Sequence, residues 1–532
     1  MNFKLRSLVA ATLAGTALLG FGACAMADTT DDIVNALMAK GVLTEEEGAL
    51  LMKGRTGEKE AAEKKKKEGV SAKIKDGAIS WESGDGNTSV ALTGRMHFDA
   101  RASDIDFPDG YANKHDKDTG TGADQYEIRR ARIGVKGKLL KNFKYEAVTN
   151  LVGSAPTIDV AYLDFAKYDK ANIRFGKFKQ PFNLEELTSS NNIDFMERSY
   201  VNQIAPAKKL GAMAFGELTP GFNYAASAFQ MNDSELDYDS EGMSYAGRLG
   251  FDMAPFMGHS DSIYHVGLSG FDSEYSVRGT TSSSGGGGTG TSASFLAFRS
   301  GGRGLSNIFR AQIQGESTTP TLQSALSDKT SEVEAKAVGL EGVFAKGPFK
   351  IQAEYAKADH EAKYDTTKME VDSNVWYAEA MWLVTGENYA DFFKKGAFGA
   401  IKPKNEVDFD GGNGWGALEL GLRMEGYDVD DGSITGGNGS SRFQGGVKCN
   451  GTNGSSETAA GNSTQNGATE TGCKSGAKAY TAGIKWILNP NLMFKANYTH
   501  TKFDYNFDHF DVGGTKFLDS EDLFMVRGQW TF

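Results

Sequence analysis

Asp522-Leu523-Phe524-Met525-Val526-Arg527-Gly528-Gln529-Trp530-Thr531-Phe532 closes the chain, and its reading decides the fold. Phe524, Val526, Gly528, Trp530 and Phe532 share one parity, whereas Arg527, Gln529 and Thr531 share the other. Side chains alternate between the faces of a strand, so one face is apolar with an aromatic rim and the other is polar and charged. That is the pattern of a strand with lipid on one side and water on the other. The last strand therefore sets the solvent against which every other strand is read.

The other end of the sequence agrees. Lys4 and Arg6 precede an apolar run from Leu8 to Phe21, and Ala25-Met26-Ala27 follows it. These are the parts of an export signal over residues 1–27, with cleavage before Asp28. The run is too short for a membrane anchor and no second apolar stretch follows. Gly22-Ala23-Cys24 offers an alternative lipid-attachment reading, in which Phe21 stands where such boxes usually carry Leu. Hydrophobic residues make up 39% of the chain and the mean hydropathy is −0.41, which excludes a membrane protein built of helices. A barrel shows lipid only every second residue and averages out as polar. The 66 glycines and 33 phenylalanines suit many strands, turns and aromatic girdles, and none of the 10 prolines breaks a clear strand. Cys449 and Cys473 lie in a Gly/Ser/Asn/Thr-rich stretch of an exported chain. They are expected to form a disulfide closing a loop of about 25 residues, worth roughly 3 kcal/mol. No Cys-x-x-Cys and no nearby His supports a metal site.

The mature chain divides unequally. Residues 28–73 read as a short helical periplasmic segment, with a first helix stopped by Gly41 and a second opened by a Thr44/Glu47 capping box. Lys64–Lys67 reads most simply as a solvated helix face, with a periplasmic spacer or oligomerisation helix as the alternative; the stretch lacks the sustained heptads of a coiled coil. From residue 74 the period is two, which predicts an all-β fold over 74–532: a transmembrane 16-stranded antiparallel β-barrel. The expected strands are 89–102, 124–139, 142–154, 157–168, 171–180, 211–219, 221–232, 243–255, 261–276, 331–347, 348–362, 373–387, 414–427, 476–490, 491–505 and 522–532. Connections are expected to alternate between tight turns, as at Thr219-Pro220-Gly221 and Asn489-Pro490-Asn491, and long external loops such as 181–210, 277–330 and 428–475.

Parity then sorts the charges. Arg95, His97, Asp99 and Arg101 oppose Met96 and Phe98; Arg130, Arg132 and Lys136 oppose Ala131, Ile133 and Val135; Arg248 opposes Leu249; Arg423 opposes Leu422. An arginine facing lipid at mid-depth costs about 2–4 kcal/mol, so these should face the lumen. Asp99, Glu354, Glu419 and Glu425 are the acids available to pair with them. Arg129 has the lipid-side parity, and a bulge or a strand end is needed to turn it inward. A lumen lined by arginine favours anions, and guanidinium forks match phosphate and carboxylate oxygens. The formal net charge of −12 does not oppose this, because selectivity follows the local field and many acids sit in loops, as at Asp428–Asp431. Catalysis lacks a signature: the seven histidines are scattered, with no H-E-x-x-H or G-x-S-x-G. A surface adhesin barrel would not need an arginine-lined lumen.

The stretch Glu127-Ile128-Arg129-Arg130-Ala131-Arg132-Ile133-Gly134-Val135-Lys136-Gly137 resembles the phosphate-selective porins O and P. So do Phe175-Gly176-Lys177-Phe178 through Pro181-Phe182-Asn183-Leu184-Glu185-Glu186-Leu187-Thr188-Ser189-Ser190, Phe195-Met196-Glu197-Arg198, and the turn Trp486-Ile487-Leu488-Asn489-Pro490-Asn491. The terminal Phe532 resembles the C-terminal signal of outer-membrane barrel proteins. The resemblance runs from about residue 89 to 532 and implies a trimeric Gram-negative outer-membrane porin, surrounded by outer-membrane lipid. Such a porin passes phosphate, polyphosphate or other small anions passively, with no cofactor and no nucleic-acid partner; a non-specific or organic-anion porin is the alternative. It also implies that residues 181–210 fold into the lumen. Arg95, Arg129 and Arg130 match the family's arginine ladder, with Arg132, Arg198 and Arg248 beside it. Arg278, Arg299, Arg303 and Arg310 of the fifth external loop are further rungs. The chain departs from the pattern at Asn191, where the family places a lysine, and Lys208 and Lys209 are the candidate substitutes.

Overall fold

In the computed structural model, the described residues are 34, 36–53, 69–75, 78–106, 125–231, 242–279, 292–314, 316–317, 331–412, 414–436, 441–451, 469–508 and 517–532. Residues 1–27, expected from the sequence to be an export signal, residues 54–68 and most of the Gly/Ser-rich loop stretches lie outside them. The described residues fall into two compact units, one ending at Ser71 and including Glu82–Asn87, the other comprising Ala72–Trp81 and Thr88–Phe532. In the first unit, residues 36–39 and 45–53 are helical. Thr44 and Glu47 make reciprocal capping bonds, with Glu47 N donating to Thr44 Oγ1 and Thr44 N to Glu47 Oε2.

The second unit is a closed barrel. Its sixteen strands among the described residues are β1 Ser89–Asp106, β2 Gln125–Leu139, β3 Phe143–Asn150, β4 Thr157–Tyr168, β5 Ala171–Lys179, β6 Lys208–Thr219, β7 Phe222–Phe229, β8 Ser244–Asp252, β9 Ser262–Gly279, β10 Ser331–Lys346, β11 Phe349–Tyr364, β12 Thr367–Leu383, β13 Ala417–Thr435, β14 Glu470–Ile487, β15 Leu492–Asp508 and β16 Phe517–Thr531. Each pairs antiparallel with its neighbour, and β16 closes on β1 with Arg527 opposite Asp99 and Thr531 opposite Arg95. At that seam Phe532 N donates to Gly94 O, and Gly94 N to Phe532 O. A side chain at Gly94 would occupy the place of the Phe532 ring.

Outward residues follow the parity of the terminal strand: Met96, Phe98, Ile133, Leu249, Leu340, Ile484 and Phe524 are exposed, and Leu422 is 66% exposed. Phe349 stacks on Trp382, and Trp530 packs on Phe532, at the short-turn end, forming part of an aromatic rim. Inward, Arg527 is fully buried.

Three expectations need correction. The strict alternation of short and long connections fails around β11–β13: β11 and β12 meet through residues 365–366 at the long-loop end, whereas 384–416 is a long excursion at the short-turn end. That excursion is ordered because it folds into the barrel, where Tyr389 is buried and donates its hydroxyl to Glu419. The strands on this side also outrun the expected spans. Asp428–Asp431, read as loop, lie on β13, which reaches Thr435. About ten residues suffice to cross a bilayer at the usual tilt, so the excess stands beyond the lipid. There the inward side chains are small and apolar, as with Ala335, Ala337, Ala356, Ala358 and Val371. They pack on Phe298, Phe309 and Phe443 from the loop strands Ser292–Phe298, Phe309–Gln314 and Arg442–Gly445. Third, of the four acids expected to pair with arginines only Asp99 does so among the described residues; Glu419 pairs with Lys485, and the carboxylates of Glu354 and Glu425 accept from the backbone instead, as described below. Cys449 and Cys473 are joined by a disulfide that ties the strand Lys448–Gly451 to β14.

The two faces should respond differently to the same charge. Leu422→Arg on the lipid side of β13 should destabilise the barrel by about 2–4 kcal/mol, read as a lower urea midpoint for folding into bilayers.

Candidate functional site

The connection 180–207 between β5 and β6 turns into the barrel, and the wall opposite grips it. The carboxylate of Glu354 on β11 accepts from Leu184 N and Glu185 N, both at 2.8 Å, holding the start of the helical turn Leu184–Leu187. Asn183 caps the same turn by accepting from Glu186 N. Tyr200 N donates to Glu425 at 2.9 Å and Met196 N to Asn497 Oδ1 at 2.9 Å. Lys495 donates to Ile193 O. Arg423 binds Glu379 and Glu185, each at 2.8 Å, and Glu197 O. Arg527 forks onto Asp99 at 2.7 Å through both Nε and Nη2, while also holding Glu197 and Met196 O. Asp194 sits between Lys350 at 2.5 Å and Lys485 at 3.4 Å. Burial pushes the Asp194 carboxyl up, but the two lysines outweigh it and hold the group below its usual range. Glu197 follows the same logic: burial raises it, and Arg129, Arg130 and Arg527 hold it well below.

The inward charges of β11–β16 are thus largely taken up by the loop. Those of β1–β8 are taken up only in part: Arg129 and Lys179 bind the loop, whereas Arg132, Arg174 and Arg248 pair with acids of the wall. A cavity of about 1000 Å³ lies between these strands and the free side of the loop. Eleven Lys and Arg residues line it, against two lining acids, Glu146 and Asp159; Glu341, Asp164 and Glu186, paired with Arg248, Arg174 and Lys179 behind the lining, reduce the excess without cancelling it. Such an excess inside low-dielectric walls attracts anions and repels cations.

Of the expected residues, Arg95, Arg130, Arg132, Arg198, Lys208 and Arg248 line this cavity. Arg95 Nη1 donates to Ser190 Oγ at 3.1 Å. Arg132 and Lys208 share Asp159, at 2.9 and 2.5 Å. Arg198 is aimed by the loop's own carbonyls, donating to Glu185 O and Thr188 O. Arg248 pairs with Glu341 and donates to Gly396 O of the 384–416 excursion. Arg129 is turned inward by a bulge: His97 is opposite Arg130 and Phe98 opposite Ile128, which leaves Arg129 as the extra residue. It forks onto Glu197 at 2.8 and 3.1 Å rather than lining the cavity.

Lys209, Arg299 and Arg303 do not line it either. Arg299 exchanges backbone bonds with the Gln203 side chain, and Arg303 lies 3.8 Å from Glu127. Arg310 lies on the loop strand Phe309–Gln314, and the side chain of Arg278 is outside the described residues. Asn191 lines the cavity and its Oδ1 is 3.1 Å from His97 Nε2.

Sequence reasoning passed over Arg174, Lys179, Lys394 and Lys395, which also line the passage. Arg174 forks onto Asp164 and lies 3.7 Å from the Tyr162 ring centre. Its parity, opposite Ile173 and Phe175, would have found it. Lys394 and Lys395 come from a hairpin in the 384–416 excursion, which carries no period to read.

A family model described as phosphate-selective porin O and P matches residues 90–529. Porin O of Pseudomonas aeruginosa is 25% identical over 467 residues, covering 84% of this chain and 89% of its own. Among solved structures, the outer-membrane-expressed OmpT of Vibrio cholerae matches with a TM-score of 0.46 at 10% identity, over 84% of this chain and 98% of its own. An anion-selective porin from Comamonas acidovorans matches with a TM-score of 0.43 at 13% identity, over 84% and 100%.

The grip on the loop is open to test. Arg423→Ala leaves Glu185 and Glu379 buried without their guanidinium, which should cost about 3–5 kcal/mol. The loss should appear as a lower urea midpoint and as new trypsin cleavage after Arg198.

Proposed function

The chain belongs to the phosphate-selective porin O and P family and is an anion-selective porin of the Gram-negative outer membrane; from that premise we propose that its solute is inorganic phosphate or a short polyphosphate. The observation that carries the proposal is the charge of the passage, eleven cationic residues against two acids. Arg95, Arg132, Arg198 and Lys208 form its working edge, and Arg130 and Arg248 extend it. Arg95 is the rung whose hydrogen bond goes to a hydroxyl, Ser190 Oγ, so an arriving oxyanion meets a guanidinium that is not held by a carboxylate there. Several weak sites in series admit an anion and let it leave, so the gradient alone drives transport.

Residues 1–27 act as the export signal, 28–73 as a periplasmic segment and 74–532 as the channel. The porin works as a trimer, so unheated samples should migrate in mild detergent gels at three times the monomer mass. An organic anion is the second reading, favoured by Asn191 at the family's lysine position and by Tyr162, Phe178, Phe215 and Tyr224 beside the cations.

Planar-bilayer recording separates these readings. The reversal potential in a KCl gradient should show chloride preference. Phosphate should block chloride current more strongly than sulfate or an aromatic carboxylate does; stronger block by the carboxylate supports the organic-anion reading. Arg95→Glu combined with Arg132→Glu should weaken anion preference by about tenfold, and an unchanged reversal potential would remove these residues from the passage.

A further inference from the structure

Behind the apex of the lumen loop, two adjacent strands of the barrel wall both carry glycine. Gly421 on β13 and Gly483 on β14 stand directly opposite each other in register. Both have the inward parity, Gly421 between Glu419 and Arg423, and Gly483 between Thr481 and Lys485. Neither has a positive φ, so any residue could adopt either backbone conformation. What the glycines supply is space.

The ring of Phe195 fills it. A Cβ on Gly483 would stand 2.8 Å from Phe195 Cε1 and 2.5 Å from Asn497 Nδ2. One on Gly421 would stand 3.1 Å from Phe195 Cζ and collide with the thioether of Met381. A glycine inside a strand often marks the close approach of another chain segment, and here two adjacent strands provide one together. The ring is fixed from the side by Arg423, whose guanidinium carbon lies 4.5 Å from its centre. Its neighbours Asp194 and Met196 are bonded to Lys350 and to Asn497.

We propose that Gly421 and Gly483 form a seat whose depth sets the width of the passage, which makes them positioning residues for permeation. The loop has two sides. Phe195 sinks into the wall on one, and Ser189–Asn192 and Arg198 face the passage on the other. Arg95 Nη1 is 3.1 Å from Ser190 Oγ, so a loop pushed off the wall toward β1 closes on a cation that lines the passage. A methyl group on Gly483 meets the ring at 2.8 Å and must displace it, and one on Gly421 displaces the Met381 thioether and presses on the ring at 3.1 Å, because a close-packed site cannot absorb an added carbon without displacement. The displacement is directed into the passage. The inference rests on the porin reading only in requiring that the passage conduct ions, whichever anion it prefers.

Single-channel recording in KCl tests it. Gly483→Ala and Gly421→Ala should each lower chloride conductance, Gly483→Ala by about twofold or more, in protein that still folds to the heat-modifiable barrel. Phe195→Leu added to Gly483→Ala should return it toward the original value, because the smaller side chain gives back the space. Ala482→Val, one residue away on the lipid face, should leave conductance unchanged. Folded glycine variants that conduct like the original protein overturn the proposal, as does a loss that Phe195→Leu fails to recover. If Gly483→Ala alone does not fold, Gly421→Ala and the double variant decide between the same outcomes. Cation preference in the original protein would overturn the anion reading and leave the seat standing.

Discussion

The lumen depends on one constraint: a charge that cannot face lipid, and has no water behind a packed loop, must find a partner in the protein. Arg423, Arg527, Lys350, Lys485 and Lys495 all point inward from the side of the barrel opposite the open cavity. Leaving any of them buried and unpaired would cost several kcal/mol. The loop 180–207 supplies what they need: the carboxylates of Glu185, Asp194 and Glu197, and the carbonyls of Ile193, Met196 and Glu197. In the other direction Glu354 and Glu425 accept the loop's otherwise unpaired amides. Neither the wall nor the loop is satisfied without the other.

The charge of the open passage follows from that match. Once the loop has engaged the charges of β11–β16, the cations left facing open space belong to β1–β8, to the free side of the loop and to the 384–416 excursion. Eleven cationic residues against two acids remain there, in a chain whose formal charge is −12. Much of the opposing acid sits outside the passage. Glu334, Glu361 and Glu370 are on the outward face of strands extending past the bilayer, paired in part with Lys336, Lys363 and Lys368. Net charge and the field in the passage are different quantities, separated by where the strands leave the membrane.

Much of this was legible in the residues. Arg130, Arg132 and Arg248 could be placed in the lumen by parity alone, because at mid-depth only one face of a strand tolerates a guanidinium. The same rule, applied to Arg174, would have added a rung. Arg129 was legible as an exception needing a bulge, and the bulge is found at that residue. Arg299 and Arg303 were not legible: they lie in a long loop, where no period constrains the direction of a side chain. Glu354 could be placed inward but not partnered, since besides the Tyr377 hydroxyl on the next strand it accepts from two backbone amides some 170 positions away in sequence.

By itself, the sequence determined the strand count, the face of nearly every strand and the solvent on each side, because alternation is enforced locally by the cost of a charge in lipid. The terminal Phe524-to-Phe532 stretch carried that rule for the whole barrel. Only the tertiary structure decided which inward cations are engaged and which remain available. That choice rests on contacts between segments hundreds of residues apart, such as Arg527 with Glu197 and Phe195 over Gly421 and Gly483. No local period encodes such contacts, because the loop that makes them has no repeat of its own and takes its shape from the wall.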